Sequence, residues 1–167
     1  MSNELSDSVV KDWRESGGQF SRASFTVRRE FDVKPGKIFP LLCPTLEYDW
    51  LPGWTCEMLH SETGYAEHDC IFKTEFFGFP ELWICTKYLK DSEICYQRIS
   101  EHLSSMLDIR LIDQLDGSCI GVWHIAISAL DEEGNRMIEN LEGAEKKFEK
   151  AIDALEYFLK EGRLASV

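Results

Sequence analysis

The stretch that decides the fold is residues 138–159, IENLEGAEKKFEKAIDALEYFL. Its apolar residues recur every three or four positions with charged residues between them, so an amphipathic helix is predicted, roughly 35 Å long. Asn135 is the predicted N-cap, and Gly162 the residue that ends the helix in the left-handed conformation. The apolar stripe requires a partner surface. Ala144 and Ala151 are small residues within the stripe, where helix and partner need not close fully.

The composition indicates one soluble domain. The chain has 167 residues, 44% hydrophobic and 29% charged, with a formal net charge of -12. This charge disfavours nucleic acid and anionic membranes as partners, because both attract an excess of Lys and Arg. The sequence contains no run of about 18 apolar residues that would predict a membrane span. Its first 13 residues lack the features of a secretory signal, so we expect a cytoplasmic protein.

The six cysteines do not form a metal or disulfide pattern. No CxxC pair occurs, and no His lies at metal-ligand spacing from a pair of Cys residues. Each Cys lies within an apolar or alternating segment, where a free thiol behaves as a small buried hydrophobic group. We therefore expect free structural thiols, with no metal and no cofactor.

The segment before the helix has the pattern of an antiparallel sheet. Residues 1–19 are expected to form a flexible arm, with a short helix around Val9–Trp13, and residues 20–163 a single domain. Phe20–Val33 alternates as a strand, and two short helices bounded by prolines follow it. Six more strands at intervals of about ten residues are typical of an antiparallel meander. Their predicted ranges are Trp54–Glu62, Glu67–Phe77, Glu81–Leu89, Glu93–Glu101, Ser104–Gln114 and Ser118–Leu130. The predicted order is β-αα-β6-α.

Three segments in this order resemble a known superfamily. The segment FDVKPGKIFPLLCP (31–44) resembles the strand-to-helix opening of the helix-grip, or SRPBCC, superfamily, which includes START-related, Bet v 1-like and polyketide cyclase/dehydratase-like proteins. The segments EYDWLPGWTC (47–56) and AEHDCIFKT (66–74) resemble an uncharacterised bacterial subgroup of it. The resemblance implies an α+β fold in which a curved, seven-stranded antiparallel sheet wraps around the long C-terminal helix. It also implies a largely apolar cavity between them.

Alternation along the predicted strands assigns side chains to the wall of this cavity. Residues whose neighbours along the strand are charged are expected to face inward. In the fourth and last strands both faces are apolar, so Trp83 or Ile84, and Trp123 or His124, remain alternatives for the inward position. The expected cavity residues are Trp50, Trp54, Cys56, Met58, Phe72, Thr74, Tyr96, Arg98, Ile109, His124, Phe148 and Ile152.

Few polar residues are candidates for chemistry in the cavity. Arg98 either holds a carboxylate or carbonyl group of a ligand, or pairs with a neighbouring acid at the cavity mouth. His124 and Tyr96 are candidates for proton transfer, the alternative for His124 being a structural role or a place on the outer face. Glu47 and Asp49 are either an acid pair at an entrance or surface acids of a short helix.

The resemblance implies binding of a small, mainly hydrophobic ligand, such as a lipid, a polyketide-like molecule or an aromatic compound. Trp50 and Trp54 would then either stack on a flat ligand or only close the end of the sheet. One alternative is a cyclase/dehydratase-type enzyme acting on a polyketide-like substrate, and another is a protein-interaction module similar to co-chaperone members. No nucleotide, metal or nucleophile motif assigns a reaction. Two strands that are apolar on both faces also indicate a homodimer.

Overall fold

The computed structural model describes residues 9–12 and 18–166, which form one antiparallel sheet, a group of short helical turns and two consecutive C-terminal helices. The strands are β1 Val9–Asp12, β2 Ser21–Phe31, β3 Glu57–His60, β4 Ile71–Thr74, β5 Glu81–Leu89, β6 Glu93–Ile99, β7 Leu103–Asp113 and β8 Cys119–Ala129. The helices are α1 Pro35–Ile38, α2 Glu132–Ile138 and α3 Leu141–Glu161. Two 3₁₀ turns, Phe39–Leu42 and Glu47–Asp49, follow α1.

The strand order in the sheet is β1-β2-β8-β7-β6-β5-β4-β3, and every neighbouring pair is antiparallel. All seven predicted strands are present, so the predicted α+β architecture is confirmed. Strand β1 is an addition. The helix predicted around Val9–Trp13 is wrong at Val9–Asp12, which instead pair with residues 21–24 of β2. An extended segment there satisfies backbone groups that the edge of β2 would otherwise leave unpaired. Residues 1–8 and 13–17 of the predicted arm lie outside the described residues.

The inner face of the sheet carries the core. Buried and half-buried residues alternate along β8, so Trp123 points inward and is 4% exposed, while His124 lies on the outer face. On β5, Trp83 points inward and Ile84 outward. The prediction of His124 as a cavity residue is therefore wrong, because the period of two cannot place both neighbours inside. Instead His124 Nδ1 lies 2.9 Å from Oγ1 of Thr26 on the neighbouring strand β2.

The C-terminal helix is divided in two, unlike the single helix predicted. Asp131, and not Asn135, is the N-cap of α2, and its side chain accepts a hydrogen bond of 2.8 Å from the Gly134 N–H. Asn140 separates α2 from α3, because its backbone (φ -100°, ψ 38°) is not helical. Gly162 ends α3 at φ 68°, as predicted. The break allows α2 to pack on β8 while α3 crosses β2.

A buried cation fastens α3 to the sheet. Arg29, on the inner face of β2, is 8% exposed. Its guanidinium group donates hydrogen bonds of 2.8 Å each to Asp153 and Glu156 on α3. A guanidinium that bridges two carboxylates has a fixed geometry, because its donors lie in one plane. Arg29 therefore fixes the C-terminal half of α3 against the sheet.

The replacement Gly121→Ala is expected to lower the free energy of unfolding by about 1–3 kcal/mol, because it overpacks the core. A Cβ atom at Gly121 would overlap the buried Trp123 ring. Gly36→Ala is the matched control, since its Cβ would meet only the Asp91 carboxylate at 3.8 Å. Urea unfolding of both variants measures the difference. Equal stabilities would contradict the packing of Trp123 on Gly121.

Candidate functional site

Two cavities lie between the sheet and the C-terminal helices. The outer cavity has a volume of about 370 Å³ and lies beside the α2–α3 junction. Its apolar wall includes Leu103, Ile127, Met137 and Ala144. The inner cavity, of about 50 Å³, lies among Trp50, Trp54, Trp83 and Trp123, with Ile109 and Ile152 also in its wall. Most of the space between sheet and helix is therefore in the outer cavity, and the inner cavity is a small aromatic extension.

Phe77 and Phe148 separate the two cavities. Each of them lines both cavities, and their rings stack with centroids 5.3 Å apart and 24° between the planes. Phe148 belongs to α3, whereas Phe77 lies on the loop after β4, where Gly78 has φ 92°. Lys147 holds this loop to α3 by donating a hydrogen bond of 2.5 Å to the Phe76 carbonyl. The partition is thus made of two side chains and not of backbone.

Small residues on α3 leave the space that the sheet does not fill. Ala144 lines the outer cavity and Ala151 the inner one. On the same helix, Phe148, Ile152 and Leu155 are buried against the sheet. The helix therefore packs closely at its large residues and incompletely at its alanines, as the sequence pattern predicted.

A buried ion pair lies in the wall of the outer cavity, which also includes the polar residues Ser105, Asn140 and Lys147. Arg98 and Glu81 are 5% and 4% exposed, and Arg98 Nη2 donates to Glu81 Oε1 at 3.0 Å. The guanidinium carbon also lies 4.2 Å from the ring centroid of Phe77 and 4.8 Å from that of Trp83. Such cation–π contacts stabilise a cation that has been removed from water. Of the two roles expected for Arg98, pairing with a neighbouring acid is the one observed.

Removing one member of this pair is expected to cost about 3–5 kcal/mol, because it leaves the other charge buried without its partner. We therefore expect Arg98→Met and Glu81→Met to be strongly destabilised. The double variant should be much closer to the wild type, since it buries no charge. A double-mutant cycle from urea unfolding measures the coupling. Additive losses in the double variant would show that the ion pair contributes little.

Trp50, Trp54 and Tyr96 are fixed by hydrogen bonds to the short helical turns. The indole N–H of Trp50 donates to the Leu41 carbonyl at 2.7 Å, and that of Trp54 donates to the Pro44 carbonyl at 2.8 Å. The Tyr96 hydroxyl donates to the Leu42 carbonyl at 3.0 Å. All three side chains are buried. They close the end of the sheet, and their polar groups already donate hydrogen bonds to backbone carbonyls.

Among the polar residues, Glu47 differs most between its predicted and its observed position. In the three-residue turn Glu47–Asp49, Tyr48 and Asp49 are exposed, whereas Glu47 is half-buried and lines the inner cavity. The turn is held in place by Tyr48, whose hydroxyl accepts from the Cys56 N–H at 2.8 Å and donates to the Cys56 carbonyl at 3.0 Å. Glu47 and Asp49 therefore do not form an acid pair at an entrance. Among the described residues, none bonds to the Glu47 carboxyl group.

Burial raises the pKa of Glu47 well above its usual range, because a carboxylate is poorly solvated among tryptophan rings. Its titratable neighbours are Tyr96 and Cys56. Burial also raises the pKa of both, and the charge on Glu47 adds to each effect. Both neighbours are consequently neutral in the range where a glutamate titrates. The environment thus favours the protonated form of Glu47.

We expect the stability advantage of Glu47→Gln over the wild type to grow as pH rises. A raised folded-state pKa means that the folded wild type retains its proton after the unfolded chain has lost it. The variant has no titrating group at this position. Relative to the variant, the wild type therefore loses stability by up to about 1.4 kcal/mol per pH unit above about pH 4.3. The loss ends once the folded-state pKa is passed.

Thermal unfolding between pH 4 and 8 measures this loss. Asp49→Asn is the control, because Asp49 is an exposed acid of the same turn. Parallel profiles for the wild type and Glu47→Gln would contradict the burial of the Glu47 carboxyl group.

The predicted cavity residues divide into four groups. Arg98 and Phe148 line the outer cavity, and Trp50, Trp54, Ile109, Phe148 and Ile152 line the inner one. Cys56 and Thr74 instead border an open groove on the far side of the sheet end, and the Thr74 hydroxyl donates to the Thr55 carbonyl at 2.6 Å. Phe72 and Tyr96 are buried in the aromatic cluster behind the cavities, and Met58 packs at its edge. His124 lies on the outer face.

Sequence reasoning did not select Phe77 or Glu81 for the site, and it placed Glu47 at an entrance or on the surface and not in the cavity wall. Glu81 lies two residues before Trp83 on β5, so the strand period places both on one face once the orientation of Trp83 is known. Phe77 lies in a turn, where no period applies.

The six cysteines are free thiols, and residues 9–12 and 18–166 contain no group of three or more His, Cys, Asp or Glu that could hold a metal ion. No helix in these ranges is long and apolar enough to cross a bilayer.

A curved antiparallel sheet that holds a C-terminal helix, with a cavity between them, defines the helix-grip fold, and this chain has that fold. No protein-family model matches the chain, and no curated protein matches it. Solved structures do match. CalU16 from Micromonospora echinospora superposes with a TM-score of 0.61 at 13% identity, over 97% of this chain and 88% of CalU16.

Two further structures show the same similarity. The Aha1 dimer from Colwellia psychrerythraea matches with a TM-score of 0.60 at 16% identity, over 83% of this chain and 97% of that one. An uncharacterised protein from Rhizobium leguminosarum matches with a TM-score of 0.55 at 11% identity, over 93% and 99% of the two chains. At identities this low the similarity establishes the fold and not the function.

Proposed function

We propose that this protein binds a small, mainly hydrophobic ligand in the outer cavity between the sheet and the C-terminal helices. The observation that carries this proposal is the cavity itself, of about 370 Å³. Protein interiors are otherwise closely packed, and sites for small molecules have volumes of about 300–1,000 Å³. A lipid chain, a polyketide-like molecule or an aromatic compound of modest size fits this space.

The wall of the cavity supports an apolar ligand. Leu103, Ile127 and Met137 offer aliphatic surface, and the ring of Phe148 offers an aromatic face. Burying ligand surface against them contributes roughly 25 cal/mol for each Å² of apolar area removed from water. The driving force is thus the removal of ligand surface from water, with shape deciding which ligand fits.

The charges at the site favour a neutral ligand. Arg98 is paired with Glu81, and Lys147, the other basic residue in the wall, donates its hydrogen bond to the Phe76 carbonyl, so both cations already have partners. A ligand carboxylate would have to compete with Glu81 for the guanidinium group. The chain also carries a net charge of -12, which repels anions at long range. An uncharged molecule with one or two polar atoms therefore suits the site better than a fatty-acid anion.

The replacement Ala144→Trp is expected to abolish binding while leaving the fold intact, because the indole ring would fill the outer cavity. The measurement is a thermal shift with a panel of naphthalene derivatives, long-chain alcohols and flavonoids. A wild-type ligand present at 100 times its Kd should stabilise the protein by about 2.7 kcal/mol. The variant should show no shift with the same compounds.

Lys146→Trp is the matched control, since this side chain is 66% exposed on the same helix. It should keep the wild-type shift, and circular dichroism checks that both variants are folded. Native mass spectrometry of the protein purified from its own host identifies the ligand class. The proposal is wrong if no compound shifts the wild type, or if folded Ala144→Trp still responds to the compounds that shift it.

The alternative of cyclase/dehydratase-type catalysis has less support. His124 lies on the outer face, and the Tyr96 hydroxyl is occupied by the Leu42 carbonyl, so neither predicted residue offers a free group to the cavity. A homodimer stays a prediction. Aha1 from Colwellia psychrerythraea is a dimer, and sedimentation of this chain would test whether it behaves likewise.

A further inference from the structure

Two polar groups at the inner cavity have no role in holding the fold. One is the carboxyl group of Glu47, which bonds to none of the described residues although it lies on the cavity wall. The other is the indole N–H of Trp83, which is buried and likewise makes no hydrogen bond with a described residue. The Glu47 side chain is half-buried, whereas the Trp83 N–H is fully buried without a partner, which requires an explanation because buried polar groups are normally hydrogen-bonded.

The neighbouring tryptophans show that this is not a general property of the cluster. The indole N–H groups of Trp50 and Trp54 each reach a backbone carbonyl at 2.7 and 2.8 Å. The core therefore supplies acceptors to these two indoles. The buried indole N–H of Trp83 has none among the described residues, and Trp83 lines the same cavity of about 50 Å³ as Glu47.

We propose that the inner cavity is the subsite for a carbonyl oxygen of the ligand, with the Glu47 carboxyl and the Trp83 indole N–H as its hydrogen-bond donors. This inference rests on the proposed function and names the ligand class more closely, as a mainly apolar ketone. A ketone oxygen has two lone pairs and can accept both bonds. The rest of the ligand lies in the outer cavity.

The protonation of Glu47 agrees with this role. Only the neutral acid can donate a hydrogen bond, and burial among the tryptophans favours the neutral form by raising the pKa of Glu47. The titratable side chains whose interactions include the Glu47 charge are Tyr96 and Cys56, and neither supplies a cation that would hold Glu47 ionised. Of the cations that contact aromatic residues of the inner cavity, Arg98 is paired with Glu81 and Lys147 donates to the Phe76 carbonyl.

The two cavities are adjacent, so one ligand can occupy both. The stacked rings of Phe77 and Phe148 line both of them. Phe77 is half-buried and lies on a loop, so its ring can turn aside without moving a strand or helix. The ring that a ketone ligand places in the outer cavity then stacks on Phe148, while its oxygen enters the inner cavity.

The test compares two probes of the same shape, acetonaphthone and isopropenylnaphthalene, in which a methylene group replaces the ketone oxygen. Kd is measured for both by fluorescence titration, and the ratio of the two values cancels the common apolar contribution. Glu47→Leu removes one donor, and Trp83→Phe removes the other while keeping a ring. Glu47→Gln retains an N–H donor, and Asp49→Leu alters the exposed acid of the same turn.

We expect Glu47→Leu to reduce the preference for the ketone about tenfold, the effect of one hydrogen bond of about 1.4 kcal/mol. Trp83→Phe should also reduce it, while Glu47→Gln and Asp49→Leu should leave it near the wild-type value. The infrared C=O stretch of the bound ketone should move to higher frequency in Glu47→Leu, which a merely structural role would not cause.

An unchanged preference in both Glu47→Leu and Trp83→Phe, with both probes still bound, overturns the subsite and leaves the proposed function standing. Failure of both probes to bind the wild type counts against the proposed function itself.

Discussion

The interior of this protein depends on one constraint: the positive charge of Arg98 is held away from water on the inner face of the sheet, near the end of β6. A buried cation must be neutralised and covered, and the chain does this with parts of three different elements. Glu81 on β5 supplies the negative charge, Phe77 on the loop after β4 covers one face, and the Phe148 ring on α3 lies 5.6 Å from the guanidinium carbon. Sheet, loop and helix therefore meet at one side chain. This arrangement fixes where the helix can approach the sheet and where it leaves the outer cavity.

The two C-terminal helices are attached to the sheet on both sides of the outer cavity and are less closely packed against it at the cavity. Arg29 fastens the C-terminal half of α3 to β2, and Asp131 fastens the start of α2 by a contact of 2.7 Å with His102. Between these attachments the helix breaks at Asn140 and presents the small side chain of Ala144. A helix that only sealed a core would be expected to place large apolar residues there. The distribution of attachments and gaps agrees with the proposal that the cavity binds a ligand.

The sequence predicted the sheet and the inward residues of strands in which charges mark the outer face. It left the question open in β5 and β8, where both faces are apolar, because local sequence then carries no signal for orientation. The choice between Trp123 and His124 was decided by packing across the sheet. The inward position of Glu47 could not be predicted for another reason. A 3₁₀ turn of three residues is too short to show a period, so only the tertiary structure reveals which residue points inward. The helix break was missed because the apolar spacing of three and four continues through Asn140.

The smallness of the inner cavity has a calorimetric consequence. A volume of about 50 Å³ holds one or two water molecules, given roughly 30 Å³ for each. If the proposed ligand places a group there, that group would release little water, and the gain in solvent entropy that accompanies ordinary hydrophobic association would be largely absent. Contacts with Trp50, Trp54 and Trp123 would supply dispersion attraction instead. The proposed binding would then release heat, with a negative change in heat capacity from the apolar surface buried in the outer cavity.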